Sequence, residues 1–199
     1  MNTLFTTQVY QKKLNFDLKD LISEIGLIQK SDTEGILWSK ENYINGYTSY
    51  GSLDKLHKLS SAFENLEKKI DTQVDKYLKT LDYTASTKQN LRMTNCWVNI
   101  MPSAATHAAH IHPQAVISGT FYAALPEGSS PLKFEDPRLG FMMNAPALKT
   151  KARLHNKRFV SLKLRPGDLV LFESWLRHEV PANASKMPRV SISFNYGWV

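Results

Sequence analysis

Apolar residues recur at two different periods in this chain, and the change comes near residue 90. From Asp17 to Ile28, residues Leu18, Leu21, Ile22 and Ile25 fall at helical spacing, which predicts an amphipathic helix closed by Gly26 and its neighbours. Ser52 to Leu81 carries the same pattern further, with Leu56, Leu59, Phe63, Leu66, Ile70, Val74, Tyr77 and Leu81 on one face. Ser60 and Ser61 predict a break inside it. Between these helices, Gly35 to Gly51 is rich in aromatic, Asn and Gly residues, which predicts irregular structure with short extended pieces. One apolar face must pack on something flat, and a sheet is the natural partner.

Beyond residue 90 the runs become short and rich in β-branched and aromatic residues: Met93 to Met101, Val116 to Leu125, Leu132 to Phe134, Phe159 to Leu164, Leu169 to Phe172 and Val190 to Tyr196. Turn signals separate them, among them Pro126-Glu127-Gly128, Asp136-Pro137-Arg138, Pro166-Gly167-Asp168 and Pro181-Ala182-Asn183. Short strands with tight turns predict a sandwich or barrel of jelly-roll type. Helices first and strands afterwards give an α+β fold. We read residues 1–199 as a single domain, with a mainly helical part over 1–90 packing on a jelly-roll core over 91–199.

Composition narrows the class without deciding it. Hydrophobic content of 42% and charged content of 22% suit a globular chain. No apolar run reaches the roughly 18 residues of a membrane span, and the N-terminus lacks the features of a signal peptide. The single cysteine, Cys96, excludes an intramolecular disulfide, sits in an apolar strand-like run, and fits a buried inert thiol in a cytoplasmic protein. The net charge of +7 brings nucleic acid into consideration as a partner. The basic residues read as dispersed, however, with the densest groups (Lys149 to Arg153, and Lys157-Arg158) in a loop, so a solvated surface is the favoured reading. The aromatic N-terminal segment is a candidate contact for a homodimer.

Chemistry concentrates at His110-Ile111-His112-Pro113, at His178, and at Arg189-Val190-Ser191. In extended backbone, residues i and i+2 face the same way, and Pro113 favours that conformation at His112. His110 and His112 therefore reach one metal ion from one side, and His178 from a distant strand completes one face of an octahedron. Open positions opposite such a face suit a non-haem Fe(II) oxygenase, with O2 as reactant. A basic residue on the last strand suits an anionic co-substrate beside the metal. His107 and Asp136 are weaker ligand candidates: His107 reads as a surface loop residue and Asp136, before Pro137, as an Asx turn. His57 and His155, in charged surroundings, are expected to face solvent, and Trp97, Trp175 and Trp198 to line core or pocket.

These residues carry a family resemblance. Trp97-Val98-Asn99, His110-Ile111-His112-Pro113, Ser118 to Tyr122, Phe134 to Arg138, Pro166-Gly167-Asp168, Trp175 to His178 and Arg189 to Asn195 occur in the order found in 2-oxoglutarate-Fe(II) oxygenases, particularly a poorly characterised microbial and phage branch. The resemblance implies a double-stranded β-helix (cupin-like) core, Fe(II) as metal and 2-oxoglutarate as co-substrate. It assigns His110 and His178 to the metal, Arg189 and Ser191 to the distal carboxylate of 2-oxoglutarate, Tyr122 to the same carboxylate, and Asn99 to the pocket. The wider superfamily has Asp or Glu where this chain has His112, which leaves the metal site more positive by one charge. Three histidines also suit Zn²⁺. A cupin-like metal enzyme that does not use 2-oxoglutarate, and a non-catalytic metal-binding protein, are the rival readings. Nothing in the sequence names the substrate.

Overall fold

A computed structural model describes residues 1–199. Its elements follow in the order β1 (Tyr10–Lys13), α1 (Leu18–Ser31), α2 (Thr33–Asn42), β2 (Tyr47–Thr48), α3 (Leu56–Leu59), α4 (Ser61–Thr80), β3 (Leu91–Met101), β4 (His107–His110), β5 (Ile117–Ala124), β6 (Lys133–Glu135), β7 (Phe159–Ser161), β8 (Asp168–Glu173), β9 (His178–Val180) and β10 (Arg189–Trp198). The strands form a large sheet ordered β1-β8-β5-β10-β3-β2 and a small one ordered β4-β9-β6-β7. All pairings within them are antiparallel. The chain is α+β, as its pattern predicts.

Side-chain alternation explains both the layering and the site. In β8, Leu169 and Leu171 join the core shared with the helices, whereas Val170 and Phe172 join a second core with Phe134 and Val180 of the small sheet. Both faces of the large sheet are thus covered at β8, whose Leu169 to Phe172 reads as a continuous apolar run. In β10, Val190, Ile192, Phe194 and Tyr196 face the helices. Arg189, Ser191, Ser193 and Asn195 therefore face the other way. Register brings Ser191 opposite Asn99 on β3 and Tyr122 on β5, so polar residues of three adjacent strands share the inner face. Gly119 keeps β5 close to its neighbour: an added Cβ there would come within 2.4 Å of Phe194.

The helices match expectation where the apolar stripe is strong. Phe63, Leu66, Ile70, Val74 and Tyr77 of α4 are buried against the sheet, and the break falls at Ser60. Two expectations need correction. Helix α1 runs through Gly26 to Ser31 instead of closing there. The stretch from Gly35 to Gly51, expected to be irregular, begins as helix α2 up to Asn42, because the carboxylate of Asp32 accepts the Gly35 N–H at 2.9 Å and caps it, while its second half has the expected turns and the short extended β2. Asp32 also accepts from Tyr47 (2.7 Å) and Ser52 (2.6 Å), so the cap ties α2 to the chain that follows.

Three side chains are also placed differently from expectation. His57 is buried, not solvent-facing, while Trp175 and Trp198 are 48% and 61% exposed instead of lining the core. Their sequence neighbours mislead: Lys55 and Lys58 flank a histidine whose own ring packs inward on α3. Cys96 is buried, and burial raises its thiol pKa, as an inert thiol requires. No helix is long and apolar enough to cross a membrane.

Candidate active site

The small sheet places two of the histidines directly opposite one another, His110 at the end of β4 and His178 at the start of β9. His112 follows two residues later, where its backbone N–H donates to the Ser174 carbonyl at 3.0 Å and pins the loop against the end of β8. The ligand atoms of His110, His112 and His178 all lie within 4.8 Å of one another. His107 and Asp136 are outside this cluster.

Hydrogen bonding decides what the three rings offer. Nδ1 of His110 meets the Ala108 carbonyl at 2.7 Å, Nδ1 of His178 meets the Leu176 carbonyl at 2.9 Å, and Nδ1 of His112 meets the Asn195 Oδ1 at 2.6 Å. Each oxygen can only accept, so each Nδ1 carries the proton and each Nε2 presents a lone pair. Nε2 of His110 and Nε2 of His112 stand 3.2 Å apart. With both protons on Nδ1, two lone pairs converge there, an arrangement that suits a cation between them. Metal–nitrogen bonds of ~2.1 Å place cis ligands about 3 Å apart, so the spacing fits. Burial lowers the pKa of His178 to about 3 and of His112 to about 4, and lowers that of His110, which keeps the rings neutral and ligating at physiological pH.

Beside the triad is a chamber built around Arg189, which is 2% exposed. No carboxylate pairs with it. Its Nη1 donates to Ser191 Oγ at 3.1 Å and contacts Met101 Sδ at 3.4 Å, its guanidinium lies 5.0 Å from the Tyr122 ring, and its Nε has no partner. Tyr122 OH, Tyr43 OH and Asn99 Oδ1 are likewise buried without partners. An unpaired buried guanidinium costs several kcal/mol, on the order of the desolvation penalty of an ion. The orphaned donors here, Arg189 Nε and the two phenolic hydroxyls, suit an anion with several acceptor oxygens, whereas Asn99 Oδ1 can only accept.

A family profile described as "Putative 2OG-Fe(II) oxygenase" matches residues 95–195, just over half of the chain, a span that contains His110, His112, His178 and Arg189. The chain belongs to this family. It is an enzyme of the 2-oxoglutarate-Fe(II) class, whose cofactors are Fe(II) and 2-oxoglutarate. Among solved structures, the oxygenase is similar to the epimerase SnoN in complex with Fe3+, alpha ketoglutarate and nogalamycin RO, at a TM-score of 0.65 and 13% identity over 96% of this chain and 79% of that one. HygX from Streptomyces hygroscopicus with nickel and 2-oxoglutarate bound gives a TM-score of 0.60 at 14% identity, over 96% and 83% of the two chains. EctD from S. alaskensis with 2-oxoglutarate and 5-hydroxyectoine gives 0.65 at 14%, over 96% and 72%. At such identities the likeness speaks for the fold. No curated protein matches the sequence.

Several residues of the oxygenase site were not legible as such in the sequence. Asn195 holds His112, and its Oδ1 also accepts from Ser118 Oγ (2.8 Å), which is bonded in turn to Ser174 Oγ (2.7 Å). Even spacing from Arg189 on one strand was the available signal for Asn195. Tyr43, from the C-terminal end of α2, had none, because its approach depends on the tertiary fold; burial pushes its hydroxyl pKa up to about 12, with the Arg189 charge pulling it down. His107 is neither a surface loop residue nor a member of the ligand cluster: it lies on β4, stacks on His110 at 4.3 Å and meets Tyr43 edge-on at 5.3 Å. Asp136 does form the expected turn, accepting the Arg138 N–H at 2.9 Å and pairing with its guanidinium at 2.8 Å.

Proposed function

We propose that His110, His112 and His178 hold Fe(II), and that Arg189, Ser191 and Tyr122 hold the distal carboxylate of 2-oxoglutarate, with Tyr43 and Asn99 completing the pocket. The buried, unpaired guanidinium of Arg189 next to the triad carries this reading. A bidentate fork, a serine hydroxyl and two phenols supply the donors a carboxylate can accept from. On this reading the large sheet and the small sheet are the two halves of a double-stranded β-helix, and residues 1–199 act as one domain, the helical part bracing the sheet that carries Arg189.

When bound, Fe(II) with 2-oxoglutarate and O2 supplies the oxidant, one oxygen atom entering a substrate C–H bond and the other entering succinate as CO2 leaves. The protein's own part is binding and orientation. The oxygens that accept from each Nδ1 fix the imidazoles, Arg189 sets which end of the co-substrate faces the triad, and the aromatic walls exclude water. Hydroxylation of the substrate is the expected outcome. A metal enzyme working without 2-oxoglutarate, or a zinc-braced binding protein, would have no use for the buried guanidinium.

The test is anaerobic loading with Fe(II) and 2-oxoglutarate, which should produce a visible charge-transfer absorption that titrates with 2-oxoglutarate. An absent band, together with 2-oxoglutarate affinity unchanged in Arg189→Ala, refutes the assignment.

A further inference from the structure

A second, wider chamber of about 210 Å³ adjoins His110 and His112. Trp38, Tyr50 and Trp97 line it, and Tyr50 meets the two indoles edge-on at 6.4 Å and 5.0 Å. No Asp, Glu, Lys or Arg is in its wall, and Asn42, Thr48 and Asn195 supply neutral hydrogen-bonding groups. Such a surface selects a flat, uncharged ring with a polar edge.

The charge of the chain lies elsewhere, and it is not dispersed as the sequence first suggests. Residues 137–158 hold six Lys and Arg and no Asp or Glu, so this segment carries +6 of the total +7. Asp136 neutralises Arg138, but Lys149, Lys151, Arg153, Lys157 and Arg158 have no carboxylate partner. Phe141 and Met143 in the same segment are 87% and 92% exposed. The segment leaves β6 at the end of the small sheet where the triad lies: Phe134 is opposite His178, and the Glu135 N–H donates to the Arg177 carbonyl at 3.0 Å.

We propose that the substrate is a single-stranded nucleic acid, its base entering the aromatic chamber while its phosphates run along residues 137–158; this rests on the oxygenase reading above. Basic side chains without carboxylate partners suit a chain of phosphates. Stacking rings beside the triad suit an unpaired base, which a duplex would keep in its stack. An acidic protein would satisfy the basic segment and leave the ring-lined chamber without a matching group.

Fluorescence anisotropy with labelled single-stranded RNA and DNA, on the full chain without metal, tests this across a range of salt concentrations. The combined variant Lys149→Ala, Lys151→Ala, Arg153→Ala should flatten the logarithmic salt dependence by about 2, from roughly 0.7 per lost phosphate contact. Tyr50→Ala and Trp38→Ala should weaken binding roughly 5- to 150-fold, the range for one stacked base, with the salt slope unchanged. Tyr50 is half exposed, so its loss leaves the fold intact, and the exposed-loop variant gives an independent arm. Equal affinity for duplex, displacement by polyglutamate as readily as by oligonucleotide, or aromatic variants that keep full affinity would overturn the proposal. Binding here needs neither iron nor 2-oxoglutarate. A failed oligonucleotide titration with an intact charge-transfer band therefore removes the substrate alone, and the opposite pair of results removes the cofactor assignment alone.

Discussion

Replacing Asn195 by leucine isolates what positions the unusual third histidine. Asn195 Oδ1 accepts from His112 Nδ1 at 2.6 Å and from Ser118 Oγ at 2.8 Å, so the leucine strands both donors. Ser118 retains Ser174 at 2.7 Å, which limits the folding cost to about 1–2 kcal/mol for one unsatisfied buried group. His112 has no second acceptor at Nδ1, so its ring is free to turn and to carry its proton on Nε2, where it cannot ligate. Loss of such a partner costs ~10–100-fold in metal affinity, or about 1.4–2.8 kcal/mol. Competition with a chromophoric chelator for Co(II) or Zn(II) measures the affinity, and the Co(II) spectrum reports the coordination. Asn195→Asp keeps the acceptor and adds a negative charge behind the imidazole, so it should bind metal at least as tightly as the native protein. Native affinity within a factor of about two in Asn195→Leu, with an unchanged melting temperature, would refute the role given to Asn195.

Arg189→Met removes a buried charge with no ionic partner, so the ligand-free protein should melt higher while its stabilisation by 2-oxoglutarate disappears; a lower melting temperature would show that the guanidinium is internally satisfied. Tyr43→Phe deletes one orphaned donor and should weaken 2-oxoglutarate roughly 10-fold or more, from ~1.5–3 kcal/mol for a bond to a charged group, with stability unchanged; calorimetric titration giving native affinity would remove Tyr43 from the pocket. Burial, then the charge of Lys58, lowers the His57 pKa to about 4. The unfolded chain takes up that proton near pH 6.5, so the stability His57 contributes is complete above that value and declines as pH falls towards 4, by at most about 3 kcal/mol. His57→Phe should therefore gain stability relative to the native protein over that interval in denaturant titrations, and a pH-independent difference would be contrary to it.

Strands β5 and β8 were legible because both faces of the large sheet are buried around them, and β3 and β10 because one face of each packs on the helices; the short strands β4 and β9 of the small sheet, which carry His110 and His178, have no apolar run of their own. Helix α4 was legible because its single buried face imposes steps of three and four. Helix α2 was not, because its start depends on a cap at Asp32 that also bonds Tyr47 and Ser52, and those contacts exist only once the chain has turned back. Strand β1 has only its place beside β8 to define it, and three of its four residues are exposed. In the site, period-two spacing reaches His110, His112, Arg189 and Ser191 directly. Tyr43 and His107 meet edge-on at 5.3 Å from distant parts of the chain, which no local pattern encodes.

The substitution at position 112 and the chamber around Arg189 bear on one another. On the proposed assignment, Fe(II) held by three neutral imidazoles would keep its full charge, and Arg189 adds another nearby without any carboxylate in either chamber wall. A dianionic co-substrate then neutralises most, but not all, of that charge, whereas an anionic ligand at position 112 would have completed the balance. Low-dielectric surroundings make this imbalance matter more than it would in water. On that assignment the anion would be part of what makes the metal site tolerable to the fold, and the orphaned hydroxyls of Tyr43 and Tyr122 would be the groups left to distribute the charge that remains.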